Sequence, residues 1–164
     1  MIFSLFTNSK YFLMSVLERQ LIVKRSTIPE AGKGLFTKKF IPKGTRIVEY
    51  TGKITTWKDV NHDDGRNMYI YNLKRYHVID ALRHTKVLAR YANDANGLVK
   101  VKGIRNNSLY VTDGLRVFIH AAKDIPAGGE ILVDYGREYW QVVRHNTRLD
   151  KIANKKLEKQ HAKK

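Results

Sequence analysis

The sequence predicts a mainly β domain, and three observations carry that reading. Short apolar runs alternate with turn residues along most of the chain, and apolar spacing of helical period is sparse before residue 142. One construction also occurs twice. Ile41-Pro42-Lys43-Gly44 leads through Ile47-Val48 to Glu49-Tyr50-Thr51-Gly52, and Ile125-Pro126-Ala127-Gly128 leads through Ile131-Leu132-Val133 to Asp134-Tyr135-Gly136. Each copy reads as a Pro-Gly turn, an apolar strand, then an acid and a tyrosine. Shared turn chemistry is common between hairpins of any β protein; the sharper reading is that Tyr50 and Tyr135 converge on one pocket.

Taken in order, residues 1–20 form a leader that is too polar to span a membrane and lacks the pattern of a signal peptide. It is expected to be poorly ordered, with Met14 as an alternative start. Leu21-Ile22-Val23 is a first strand, followed by a loop in which Gly32 and Gly34 flank Lys33. Two glycines so spaced let backbone N–H groups approach a ligand, but a lone Gly-x-Gly is by itself read as an ordinary turn. Tyr69–Leu73 and Tyr76–Asp80 form an aromatic-rich hairpin around Lys74-Arg75, and 81–91 is expected to be one short helix. Asn93, Asp94, Asn96 and Gly97 form a loop whose side chains bond backbone. Asp113-Gly114 signals a hairpin between Leu109-Tyr110-Val111 and Arg116–Ala121. From Val142 onward the apolar positions are sparse, which fits a basic, helical or frayed tail over 141–164. Residues 21–140 are then the domain proper.

A chain of 164 residues suffices for one domain with a real core. There is no cysteine, which excludes a disulfide framework and a thiolate zinc site, and the six histidines show no paired ligand spacing. No metal is expected, and the expected location is intracellular: cytoplasmic, nucleoid or nuclear. The formal net charge is +16. From Arg144 onward there are eight basic and two acidic residues, so the rest, with 23 basic against 13 acidic, is basic as well. Such a field attracts polyanions.

Four segments in order resemble the SET-domain family of protein-lysine methyltransferases: Ala31–Phe36 (AGKGLF), Glu49–Gly52 (EYTG), Arg90–Asp94 (RYAND) and Gly129–Gly136 (GEILVDYG). The resemblance runs from about Leu21 to Trp140. It implies a β-clip fold of small twisted sheets, a C-terminal pseudoknot and a short C-terminal helix. It further implies that S-adenosylmethionine is held by the backbone around Gly32, Lys33 and Gly34 and by Arg90, Tyr91, Asn93 and Asp94. Tyr135 matches the family's catalytic tyrosine, and Tyr50 a wall of the lysine channel. The family usually has Asn-His where this chain has Asn93-Asp94, and the cysteine-rich post-SET module is missing. Trp140, or else Tyr139, would then cover the cofactor or substrate. The implied activity is methyl transfer to a lysine of a protein, histone-like or another basic, nucleoid or ribosomal protein, with no membrane partner and no stated oligomeric state.

The chemistry fits what the sequence lacks. Methyl transfer from a sulfonium to an amine needs alignment and a dry channel, and an apolar aromatic channel disfavours the charged form of lysine. No Ser-His-Asp, Cys-His or paired-carboxylate arrangement is required. Read without the resemblance, Tyr135 is better taken as a strand-end tyrosine bonded to a backbone carbonyl. Asp134 and Glu49 are expected to pair with arginine or cap turns. Two readings from other classes stand beside the enzyme: a basic β-domain that binds nucleic acid, and a catalytically silent SET-like module that binds lysine or cofactor.

Overall fold

The computed structural model describes residues 17–161, so most of the 1–20 leader lies outside the described residues. Eight short strands form three separate small antiparallel sheets. Strands β1 (Leu21–Arg25) and β2 (Lys33–Thr37) make a two-stranded ribbon in which Leu21 faces Thr37 and Arg25 faces Lys33. Strands β3 (Arg46–Glu49), β7 (Ser108–Asp113) and β8 (Arg116–Ala121) form a second sheet in the order β3-β8-β7. Strands β4 (Lys53–Thr55), β5 (Ile70–Lys74) and β6 (His77–Asp80) form a third, ordered β4-β6-β5.

The sequence explains which strands are central. In β8 the run Val117-Phe118-Ile119 is continuously apolar and wholly buried, as a strand covered on both faces requires. Asp113-Gly114 closes the β7–β8 hairpin, with Asp113 opposite Arg116 and Gly114 at φ +62°, a conformation natural to glycine. Phe118, Leu35, Ile41, Ile47, Ile119, Ile125, Ile131 and Val133 are all fully buried. Each contributes about 1.5–3 kcal/mol by leaving water.

The two Ile-Pro turns pair with each other. Ile41 and Ile125 exchange both backbone hydrogen bonds at 2.9 Å, which sets the two similar segments side by side.

Three local expectations are corrected. Residues 81–91 do not form one helix: Val87 is extended at φ −74°, ψ 115°, and only a 3-10 turn at Leu88–Tyr91 remains. Ile131-Leu132-Val133 is not a ladder strand but makes isolated bridges to several partners. The terminal helix α1 is not short; it runs from Arg137 to His161, 25 residues. No glycine or proline interrupts it, and lysine, arginine, leucine and glutamate favour it intrinsically. No helix among the described residues is long and apolar enough to cross a membrane.

Candidate active site

The site is built around residues 130–136, which thread between other segments. Ile131 N–H donates to the Leu35 carbonyl (2.8 Å) and Val133 N–H to that of Asn93 (2.8 Å). On the other side the Leu132 carbonyl accepts from Asn107 N (3.0 Å) and Ser108 N (2.9 Å). The Asn107 side chain completes the seam, donating to the Glu130 carbonyl (2.7 Å) and accepting from Leu132 N (3.0 Å). The neighbour changes from residue to residue, Phe36 at Glu130, Asn93 at Leu132 and Ser108 at Val133, so no single partner runs alongside long enough to make a ladder.

Glu130 locks the threaded segment to the glycine loop. Its buried carboxylate accepts from Ser26 Oγ (2.7 Å), Thr27 N (2.8 Å), Thr27 Oγ1 and Asn93 Nδ2 (3.3 Å). Gly34 leaves room for that carboxylate: a Cβ there would stand 2.2 Å from Glu130 Oε1. With Glu130 held by several donors, the clash cannot be relieved by a simple side-chain swing. Gly34→Ala is therefore expected to cost about 2 kcal/mol; an unchanged denaturant midpoint would contradict this packing.

Asp94 is the second lock. It is 3% exposed and accepts four hydrogen bonds. Oδ1 receives Asn96 N (2.7 Å) and Asn106 Nδ2 (2.8 Å); Oδ2 receives Tyr135 N (2.8 Å) and Trp140 Nε1 (2.7 Å). One carboxylate thus fixes the backbone of Tyr135 and the indole at the start of α1. The Trp140 ring stacks on Tyr135 (centroids 5.9 Å, 13°), and Tyr139 meets both rings edge-on at 4.7 and 5.0 Å. The Tyr135 hydroxyl donates to the Ala92 carbonyl at 2.7 Å, which fixes the direction of its oxygen lone pairs.

A second group of tyrosines forms the facing wall. Tyr50 donates its hydroxyl to the Tyr69 carbonyl (2.9 Å) and packs against Tyr71 and Tyr110 with centroids 6.0 and 5.9 Å away. The Arg90 guanidinium lies 3.9 Å from the Tyr69 ring centroid, a cation–π contact, and donates to the Leu82 carbonyl (3.3 Å). Tyr91 bonds the Thr85 carbonyl (3.1 Å).

Burial pushes the phenols of Tyr50, Tyr110, Tyr135 and Tyr139 above their ordinary value of 10; at Tyr50 it outweighs the opposing Arg90 cation. All four are neutral at physiological pH. The unfolded chain releases these protons near pH 10 while the folded chain keeps them. Stability is therefore complete below pH 10 and falls as pH rises beyond it. An alkaline titration of the phenolate absorbance is expected to show these tyrosines ionising only together with unfolding. Reversible ionisation of all nine tyrosines near pH 10 in the folded protein would contradict it.

Both walls open onto one cleft of about 1400 Å³. Nine of the ten residues singled out by the sequence line it: Gly32, Lys33, Tyr50, Arg90, Tyr91, Asn93, Asp94, Tyr135 and Trp140. Gly34 does not; it is buried against Glu130. The Asn93 side chain spans from the Lys33 carbonyl (3.0 Å) to Glu130. Asp134 caps a turn by accepting from Gly136 N (2.9 Å), and the Glu49 carboxylate accepts from Arg116 Nε (2.8 Å) and Nη2 (2.5 Å), one edge of the guanidinium. Sequence reasoning passed over Glu130, Asn106 and Asn107. Their only local signal was an acid before an apolar run and an Asn-Asn pair, which reads as a turn.

The sequence profile of the SET domain matches residues 32–136, from the glycine loop through the threaded segment. The chain belongs to the SET domain family. This SET domain is 30% identical over 128 residues to the histone-lysine N-methyltransferase EZ1 of Zea mays, covering 74% of this chain and 13% of that protein. It is 29% identical over 128 residues to the histone-lysine N-methyltransferase CLF of Oryza sativa subsp. japonica, with the same coverage. It thus spans about an eighth of the length of these relatives. Among solved structures, the methyltransferase domain of human PR domain-containing protein 2 shares the fold, with a TM-score of 0.58, 21% identity, and coverage of 77% of this chain and 84% of that one. Where the SET family usually has histidine, Asp94 accepts bonds from four donors, and a histidine ring could not receive them all.

Proposed function

We propose that this SET domain is a protein-lysine N-methyltransferase that uses S-adenosylmethionine. The observation that carries the reading is the single cleft onto which the Gly32-Lys33 loop, the Asn93-Asp94 loop and the Tyr135 phenol all open. Its volume exceeds the roughly 300–1,000 Å³ of an ordinary small-molecule pocket, so a nucleoside cofactor and a lysine side chain fit together. The residues suit the cofactor in two further respects. Gly32, at φ +70°, has nothing within 4 Å of where a Cβ would stand, and Arg90 keeps a buried Nε without a hydrogen-bond partner.

When bound, S-adenosylmethionine supplies a methyl group on a sulfonium, which a neutral amine accepts directly. Gly32, Lys33, Arg90, Tyr91, Asn93 and Asp94 would hold it, and Trp140, oriented by Asp94, would give it an aromatic face. Gly34 acts indirectly by admitting Glu130. Tyr50, Tyr71 and Tyr110 exclude water from the lysine and disfavour its charged form. The Tyr135 oxygen, with its hydrogen committed to Ala92, would keep its lone pairs free to accept from the reacting groups. Because Tyr50, Tyr110, Tyr135 and Tyr139 stay neutral, none of these four acts as a tyrosinate base, and the amine arrives deprotonated by its surroundings. Activity is therefore expected to rise with pH up to the pKa of the substrate lysine, with no further limb from these four tyrosines.

The relatives are named histone-lysine N-methyltransferases, and a lysine in a histone-like or other basic protein is the substrate class we propose. The functional unit is residues 21–140, with the rest of α1 appended to it. The test is label transfer from methyl-labelled S-adenosylmethionine to a panel of histones, ribosomal and nucleoid proteins, with mass spectrometry locating the product. Methylation on lysine Nε supports the reading. No transfer to any protein, together with no calorimetric affinity for S-adenosylmethionine, would overturn it.

A further inference from the structure

Helix α1 carries a stripe of cations that the cleft does not use. Arg144, Arg148, Lys151, Lys155 and Lys159 are all exposed. At 100° per residue they fall within an arc of about 80° and extend about 22 Å along the axis. Among the described residues none of them forms an ion pair. Asp150 is taken by Arg66 at 3.1 Å on another side of the helix, and Glu158 only borders the stripe. Three of the pairs are like charges four residues apart, which weakens an isolated helix. A row of mutually repelling cations on a helix with no fully buried residue calls for a counter-charge.

We propose that this stripe binds the phosphate backbone of a double-stranded nucleic acid, without sequence preference. Three features separate this partner from other polyanions. The stripe contains no apolar side chain, whereas a protein interface needs an apolar centre and nucleic-acid interfaces are polar and positive. It contains no aromatic ring on which single-stranded bases could stack. It also lies opposite the side on which Val142 and Asn146 approach Gly65 and along which Leu149 and Ala153 continue. A helix lying on a membrane by that apolar side would turn these cations to water, away from the lipid phosphates. The stripe is separate from the cleft, so duplex binding stands or falls independently of methyl transfer.

The test measures binding of a fluorescent 20-base-pair duplex of mixed sequence by anisotropy across salt. Engaging about five phosphates predicts a log–log salt slope of about −4.5, or roughly 500-fold weaker binding at 200 mM than at 50 mM. One variant combines Arg144→Gln, Arg148→Gln, Lys151→Gln, Lys155→Gln and Lys159→Gln. A charge-matched control combines Lys39→Gln, Lys43→Gln, Lys58→Gln, Lys74→Gln and Lys86→Gln, all exposed. The stripe variant, its helix checked by circular dichroism, is expected to bind about 100-fold more weakly with a nearly flat slope, and the control within about fivefold of wild type. Equal losses in both variants would overturn the proposal. So would a shallow slope in the wild type, or wild-type binding to anionic vesicles without binding to the duplex.

Discussion

Replacing Asp94 by alanine is expected to lower stability by about 4 kcal/mol, because four donors lose their acceptor together and each unpaired buried donor costs about 1–3 kcal/mol. Asn96 N, Asn106 Nδ2, Tyr135 N and Trp140 Nε1 are those donors, and some will recover part of the loss through water. At this chain length the change corresponds to a melting temperature lower by about 8–16 °C. A local signature should accompany it. Trp140, freed from Asp94, should show red-shifted emission, read in a Trp57→Phe background that leaves it the sole tryptophan. Asp94→Asn is predicted to fall between, since it keeps an acceptor oxygen but sets an amide donor against donors. A fully stable Asp94→Ala with unchanged emission would mean that this network does not hold the closing wall of the cleft.

Tyr135→Phe is expected to reduce methyl transfer by about 10²–10³-fold, the usual scale for losing one positioned polar group at a reacting centre. Folding should hardly change. The ring and its stacking on Trp140 remain, and only the hydrogen bond to the Ala92 carbonyl is lost, worth about 1 kcal/mol. The loss should appear in kcat, with affinity for S-adenosylmethionine preserved and the alkaline rise of the pH profile kept in shape. A variant as active as wild type would reduce Tyr135 to the strand-end role that its bond to Ala92 also satisfies. A variant that instead loses cofactor affinity would make it a binding residue.

Much of this was legible in the sequence because it is written in short-range signals. Asp113-Gly114 specifies its hairpin through a turn only a few residues accept, and the two Ile-Pro-x-Gly turns mark the segments that meet at Ile41 and Ile125. What was not legible depends on partners distant in the chain. Glu130 is held by Ser26 and Thr27, more than 100 residues away, and no local pattern distinguishes it from an exposed acid after a Gly-Gly turn. Asn106 and Asn107 resemble turn residues, yet their amides fasten Asp94 and the threaded segment. The 81–91 stretch has passable helix formers, but an extended Val87 and the bond from Arg90 to the Leu82 carbonyl commit it to another path. Tertiary demands override weak propensity there. For α1 the opposite holds. A majority of good helix formers, with no glycine or proline among them, carries it through 25 residues although none is fully buried.

The most direct measurement is an assigned amide NMR titration with S-adenosylhomocysteine, the demethylated form of the proposed cofactor. Saturable shifts are expected at Gly32, Lys33, Asn93, Asp94 and the Trp140 indole N–H, with strands β4 and β6 unmoved. Saturable shifts elsewhere on the molecule, or none at any accessible concentration, would contradict this expectation.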